Sequence, residues 1–148
     1  MPIAHSTAEA TWSGDLIGGA GTVRPGSGAF AELPISWSRR TQRKQGATSP
    51  EELIAAAHSS CFCMAFSSEL AKAGHPAERI VVAASVAFET GRADGAAITS
   101  VDLDVRAQVP GIDEAAFQVA AEAARAGCPV SKALTGVEIR LRASLQTG

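Results

Sequence analysis

Long uninterrupted apolar runs, a basic leader, a surplus of positive charge and paired metal-binding cysteine motifs are all missing from this chain, and each absence removes a class of protein. The most apolar stretch, 53–66, is broken by His58, Ser59 and Ser60 and flanked by Glu51, Glu52 and Glu69. A bilayer span needs roughly 20 predominantly apolar residues, so no membrane helix is expected. The first residues, Met-Pro-Ile-Ala-His-Ser, hold no basic segment followed by an apolar one, which argues against a secretory signal and for the cytoplasm. Thirteen basic against fifteen acidic residues leave a net charge of -2, with no general attraction to nucleic acid or anionic lipid. The chain holds three cysteines, Cys61, Cys63 and Cys128. In a reducing compartment they are either buried small hydrophobes or working thiols, not structural disulfides. Cys61-Phe62-Cys63 lacks the two-residue gap of zinc knuckles, and no second Cys/His pair follows, so no metal site or other cofactor is called for. Without internal repeats or a low-complexity linker, residues 1–148 are expected to form a single domain, long enough to bury about two thirds of the unfolded surface.

What the chain does have is a central helix, expected over 49–74. Ser49 is an N-cap type, Pro50 suits the first helical position, and Glu51 and Glu52 meet the positive end of the dipole. Gly74 stops it. Between these ends charge is almost absent and Ala and Ser are frequent, which predicts a buried helix that other backbones approach closely.

Around it the chain reads as short strands at 8–12, 21–24 and 29–35, an antiparallel meander joined by glycine turns. A loop at 38–46 carries Arg39, Arg40, Arg43 and Lys44 with no acidic residue. A solvated loop explains such a run, and so does anion capture or support of a nearby thiolate. Strands at 80–88 and 98–109 read as a long hairpin, alternating apart from one slip of phase near Ser100. Asp113 caps a second helix that Gly127 ends, Cys128-Pro129 opens a further helical turn, and 137–145 alternates as a last strand. The class expected is α+β, antiparallel strands around a long buried central helix.

The cysteines differ in their local arguments. Cys128 stands at a helix N-terminus, where free backbone N–H groups stabilise a thiolate and lower its pKa. Cys61 lies mid-helix, where burial raises the pKa, so it needs an external cation; a guanidinium of the Arg39-Arg40 pair is the nearest supply. Two positions on, Cys63 turns by about 200° onto the opposite face and reads as core. His58, three residues before Cys61, is either a base or a hydrogen-bonded core histidine. Phe62, Met64 and Phe66 either line an apolar substrate site or belong to the core.

The runs Ser-Pro-Glu-Glu-Leu-Ile-Ala-Ala-Ala-His-Ser-Ser-Cys-Phe at 49–62, Val-Pro-Gly-Ile-Asp at 109–113 and Ala-Gly-Cys-Pro-Val-Ser at 126–131, with Trp12-Ser-Gly-Asp15 and Gly21-Thr-Val23, together resemble the OsmC/Ohr family almost end to end. His58 and the Gly-Cys-Pro-Val-Ser form resemble its OsmC branch. The resemblance implies an intertwined homodimer with active sites at the subunit interface, and thiol-dependent reduction of organic hydroperoxides, with hydrogen peroxide as a further substrate, in oxidative and osmotic stress. It implies Cys61 as peroxidatic cysteine, Cys128 as resolving cysteine, Arg40 as activating arginine with Arg39 as the neighbouring alternative, and Glu51 as the arginine's carboxylate partner. An external dithiol of lipoyl type is the implied reductant.

Glu51 and Cys61 are ten residues apart, about 15 Å of rise on one straight helix. Either the helix begins late or Glu51 serves the other subunit's cysteine. Two readings from other classes stand beside the peroxidase: a redox-sensing or binding module that forms the same disulfide without turnover, and a hydrolase using Cys61 and His58.

Overall fold

A computed structural model describes residues 2–43 and 45–147; Lys44, the last charge of the basic run, lies outside them. The chain divides into two compact units, Met1–Pro50 and Glu51–Gly148, each described by itself.

In the first unit β1 (Ala8–Ser13), β2 (Ala20–Pro25) and β3 (Leu33–Ile35) form the expected meander in spatial order β1-β2-β3, both pairs antiparallel. Its tightest backbone approach is at Gly21, where an added Cβ would stand 2.0 Å from the Thr11 carbonyl oxygen. β3 is shorter than the expected 29–35, because the chain bends at Ala29 and Phe30 and joins a ladder only from Leu33. The basic run is not wholly a loop: Trp37–Gln42 forms a helix, α1. Ser36 supplies its N-cap by accepting from the Arg39 N–H, and Arg43 ends it in the left-handed conformation at φ 54°. Positive charge near a helix C-terminus is favourable, which reconciles the arginine-rich composition with helix.

The second unit is organised by α2 (Pro50–Lys72). Glu51 and Glu52 occupy its first turn, and Gly74, at φ 85°, lets the Gly74 and His75 N–H groups bond back to Ala71 and Leu70. The helix is not buried all round. Its inward stripe is His58, Phe62, Phe66 and Leu70, each four residues from the next, with Glu51 also buried. Much of the opposite side, Ala56, Ala57, Ser60, Met64, Ser67 and Ser68, is exposed. By length and composition alone α2 could cross a bilayer, yet its phenylalanines lie in a protein core: Phe66 meets Phe117 edge-on at 5.4 Å between centroids and Phe62 at 5.8 Å.

β4 (Arg79–Glu89) and β5 (Ala97–Gln108) make the expected antiparallel hairpin. The phase slip near Ser100 is a bulge: Ala87 faces Ser100 and Phe88 faces Ile98, so Thr99 is the extra residue. Past it Val101, Leu103, Val105 and Ala107 point inward with charged residues between them. The last strand, β6 (Glu138–Leu145), corrects the all-antiparallel expectation. It pairs parallel with β5, Asp102 opposite Arg140, because the intervening stretch is long enough to carry the chain back to the same end of the sheet. That crossover contains α3 (Glu114–Gly127), capped by Asp113 accepting from the Ala116 N–H at 2.7 Å, and α4 (Pro129–Ala133).

Candidate active site

The crossover brings Cys128 to α2. Cys128 is simultaneously the C-cap of α3 and the N-cap of α4, with Pro129 behind it. Its side chain is fully buried in the core cluster that also holds Phe62 and Phe66, and half-buried Cys61 packs against that cluster. The Cys61 and Cys128 side chains are neighbours that shift each other's acidity, and both are unbridged.

Their environments differ as the local sequence predicts. Burial alone would raise the Cys128 pKa, but the Ser131 N–H, the Cys61 thiol, the Ser131 hydroxyl and the Val130 N–H outweigh it and hold the thiol below its ordinary value. Burial pushes Cys61 up, the Val130 N–H pulls against it, and Cys128 adds to the rise. The pair therefore titrates jointly, its first negative charge resting on the Cys128 side. Within this unit Cys128 is the more acidic thiol, and Cys61, raised by burial, still needs its cation.

A second bridge joins the same two helices. His58 Nε2 and Ser131 Oγ lie 2.8 Å apart, both residues buried. Burial holds the imidazole pKa below the ordinary histidine value, so His58 is the hydrogen-bonded core histidine of the two sequence readings. Ser131 was missed by sequence reasoning, although its position three residues after Cys128 mirrors that of His58 three before Cys61.

Cys63 is not in the core. It is half-buried beside β4, where burial pushes its thiol up against the Val82 N–H. Met64 is 69% exposed, in contrast to fully buried Phe62 and Phe66. Glu51 is buried in the first turn of α2. Since α2 starts at Pro50, the separation of Glu51 from Cys61 along one chain stands. Arg39 and Arg40 belong to the first unit, on α1. There Arg40 lines a cavity of about 370 Å³ with Trp12, Leu16, Ile35 and Trp37. Among the described residues no cluster of His, Cys, Asp and Glu suits a metal ion.

Residues 43–142 match the family described as OsmC-like protein. The chain is 42% identical over 130 residues to peroxiredoxin OsmC of Escherichia coli (strain K12), covering 88% of this chain and 90% of that protein. Among solved structures it is similar to an organic hydroperoxide resistance protein OsmC from Legionella pneumophila, with TM-score 0.73 and 22% identity over 97% of this chain and 99% of the other. A second, from Elizabethkingia anophelis and also an organic hydroperoxide resistance protein, gives TM-score 0.70 and 26% identity over 99% and 100%.

Proposed function

Because this chain belongs to the OsmC-like family, we propose that it is a thiol-dependent peroxidase of the cytoplasm that reduces organic hydroperoxides through Cys61 and Cys128. The observation that carries the reading is the juxtaposition of these two thiols, far apart in sequence, at the seam between α2 and α4.

The Cys61 thiolate attacks the distal peroxide oxygen; the O–O bond breaks, the alkoxide takes a proton and leaves as an alcohol, and Cys61 becomes a sulfenic acid. The Cys128 thiolate then attacks that sulfur, expelling hydroxide that leaves as water, and the 61–128 disulfide forms. An external dithiol of lipoyl type reduces the bridge and is itself oxidised. Since burial disfavours the Cys61 thiolate, the cycle needs a cation, and Arg40 is assigned that task with Glu51 fixing the guanidinium. Glu51 and Cys61 sit on one continuous helix, so a site that uses both takes Glu51 from a second copy of the chain. An intertwined homodimer, in which the single functional domain spans both units, is supported by two exposed features: every residue of β1, and the outer side of α2.

The test is intact mass and thiol count after one equivalent of an organic hydroperoxide, on the native chain and on Cys128→Ser. Two thiols lost in the native chain, and a sulfenic acid trapped at Cys61 in the variant, is the expected pair of results. Three unreacted thiols would overturn it. Sustained peroxide consumption with a dithiol separates an enzyme from a sensor that reacts once and stops.

A further inference from the structure

In the first unit the cavity of about 370 Å³ beside α1 has walls that the cycle above leaves unused. Trp12, Leu16, Ile35 and Trp37 line it with apolar surface, and Arg40 is its charged member. Among the described residues no acidic side chain lines it. Asp15, the neighbour of Leu16 in sequence, accepts from the Gly18 N–H at 2.7 Å instead. The same sign of charge continues along the chain: from Leu33 to Pro50 there is no Asp or Glu, against Arg39, Arg40, Arg43 and Lys44. A cleft with charge of one sign and low-dielectric walls concentrates ions of the other sign.

The apolar wall is held in place by the meander itself. Trp12 donates its Nε1–H to the Gly14 carbonyl at 3.0 Å, and the indole lies against Gly19 and against Gly21, its partner across the β1–β2 ladder. A Cβ at either glycine would stand 3.0 Å from the ring. The indole thus keeps its position without a ligand, yet Trp12 is 42% and Leu16 55% exposed. Apolar surface fixed in water favours whatever apolar group covers it. On the polar side, the guanidinium of half-buried Arg40 has five N–H donors in a planar fork, enough to hold a carboxylate beside other partners. The volume stands at the low end of small-molecule sites, which suits a medium-chain tail.

We infer that this cavity is a binding site for amphiphilic carboxylates of medium chain length: the tail lies against Trp12, Leu16 and Trp37, and the carboxylate pairs with Arg40. A carboxylate there occupies the guanidinium that the cycle assigns to Cys61, so the ligand competes with the peroxide. Only that competition rests on the peroxidase reading; the binding rests on the cavity.

The chain has two tryptophans and no tyrosine, and both tryptophans line the cavity, so intrinsic fluorescence reads its occupancy. Sodium octanoate titrated into the native chain gives a saturable change in emission, and 1-octanol, of the same chain length, binds about tenfold more weakly, the scale of one hydrogen bond to a charged group. In Arg40→Gln the two ligands bind within about twofold of each other. Leu16→Asp, which sets a like charge in the wall and touches none of the proposed catalytic residues, weakens octanoate by about tenfold or more. Acetate, a head without a tail, leaves the emission unchanged. No saturable change with octanoate, equal affinity for octanol in the native chain, or an acetate response equal to that of octanoate overturns the site. With an apolar hydroperoxide and a dithiol, octanoate raises KM at unchanged kcat; binding seen by fluorescence without that rise overturns the competition. If the native chain consumes no peroxide, the peroxidase reading falls while the fluorescence titration still decides the site.

Discussion

At the scale of residues, the site separates two demands that cysteine chemistry places on its surroundings. In the proposed cycle the peroxidatic thiol has to meet substrate, and Cys61 is the half-exposed member; the resolving thiol can wait inside, and Cys128 is fully buried. His58 carries a second consequence. It is neutral and buried in the native chain, with its pKa below the unfolded value of about 6.5. As pH drops below about 6.5 the unfolded chain takes up a proton that the native chain refuses, so stability falls until pH passes the native pKa. Above that window the group is neutral in both states and adds no slope. Denaturant midpoints of the native chain should therefore decline on the acid side, and those of His58→Gln should decline less steeply there. In the core, Phe66→Ala removes the ring that joins Phe62 to Phe117 and should cost about 3–5 kcal/mol in urea unfolding. Both cysteines and their local acidities were legible in the sequence, because helix position is a local property. Ser131 was not, because its importance comes from a partner 73 positions away.

At the scale of elements, the sequence showed most clearly what caps and breakers control. Pro50, Gly74, Asp113 and the Cys128-Pro129 junction all stand where their local chemistry put them. Asp113→Ala removes the acceptor for the Ala116 N–H and should lower stability by about 1 kcal/mol, measured as a shift in denaturant midpoint at unchanged slope. Since α3 delivers Cys128 to α2, the same variant should also slow disulfide closure. Two features escaped. The charge of 38–46 hid α1, whose Ser36 cap lies outside the run. The alternation of β6 fixed its faces but not its direction, because parallel and antiparallel partners ask for the same inward residues; the crossover length decides.

At the scale of the whole molecule, what the sequence named as a buried helix is one stripe of burial and one of exposure. Serines at 59 and 60 bond back to their own helix at Ala56 and Ala57, leaving a smooth surface of small residues suited to a close neighbour. In the proposed dimer that neighbour is the second copy, and specific activity should fall with the dimer fraction in a dilution series followed by light scattering; constant activity through dissociation would place the whole site in one chain.

The meeting of α2 with the start of α4 has a thermal consequence as well. Because the β4–β5 hairpin and α3 lie between the two thiols along the chain, the 61–128 bridge of the proposed cycle would close a loop on the order of 70 residues and restrict the unfolded ensemble by about 4 kcal/mol. Each turnover would then alternate between a robust form and a softer one, with melting temperatures separated by roughly 10 °C. A melting curve taken during peroxide exposure would thus read how much of the population awaits its reductant.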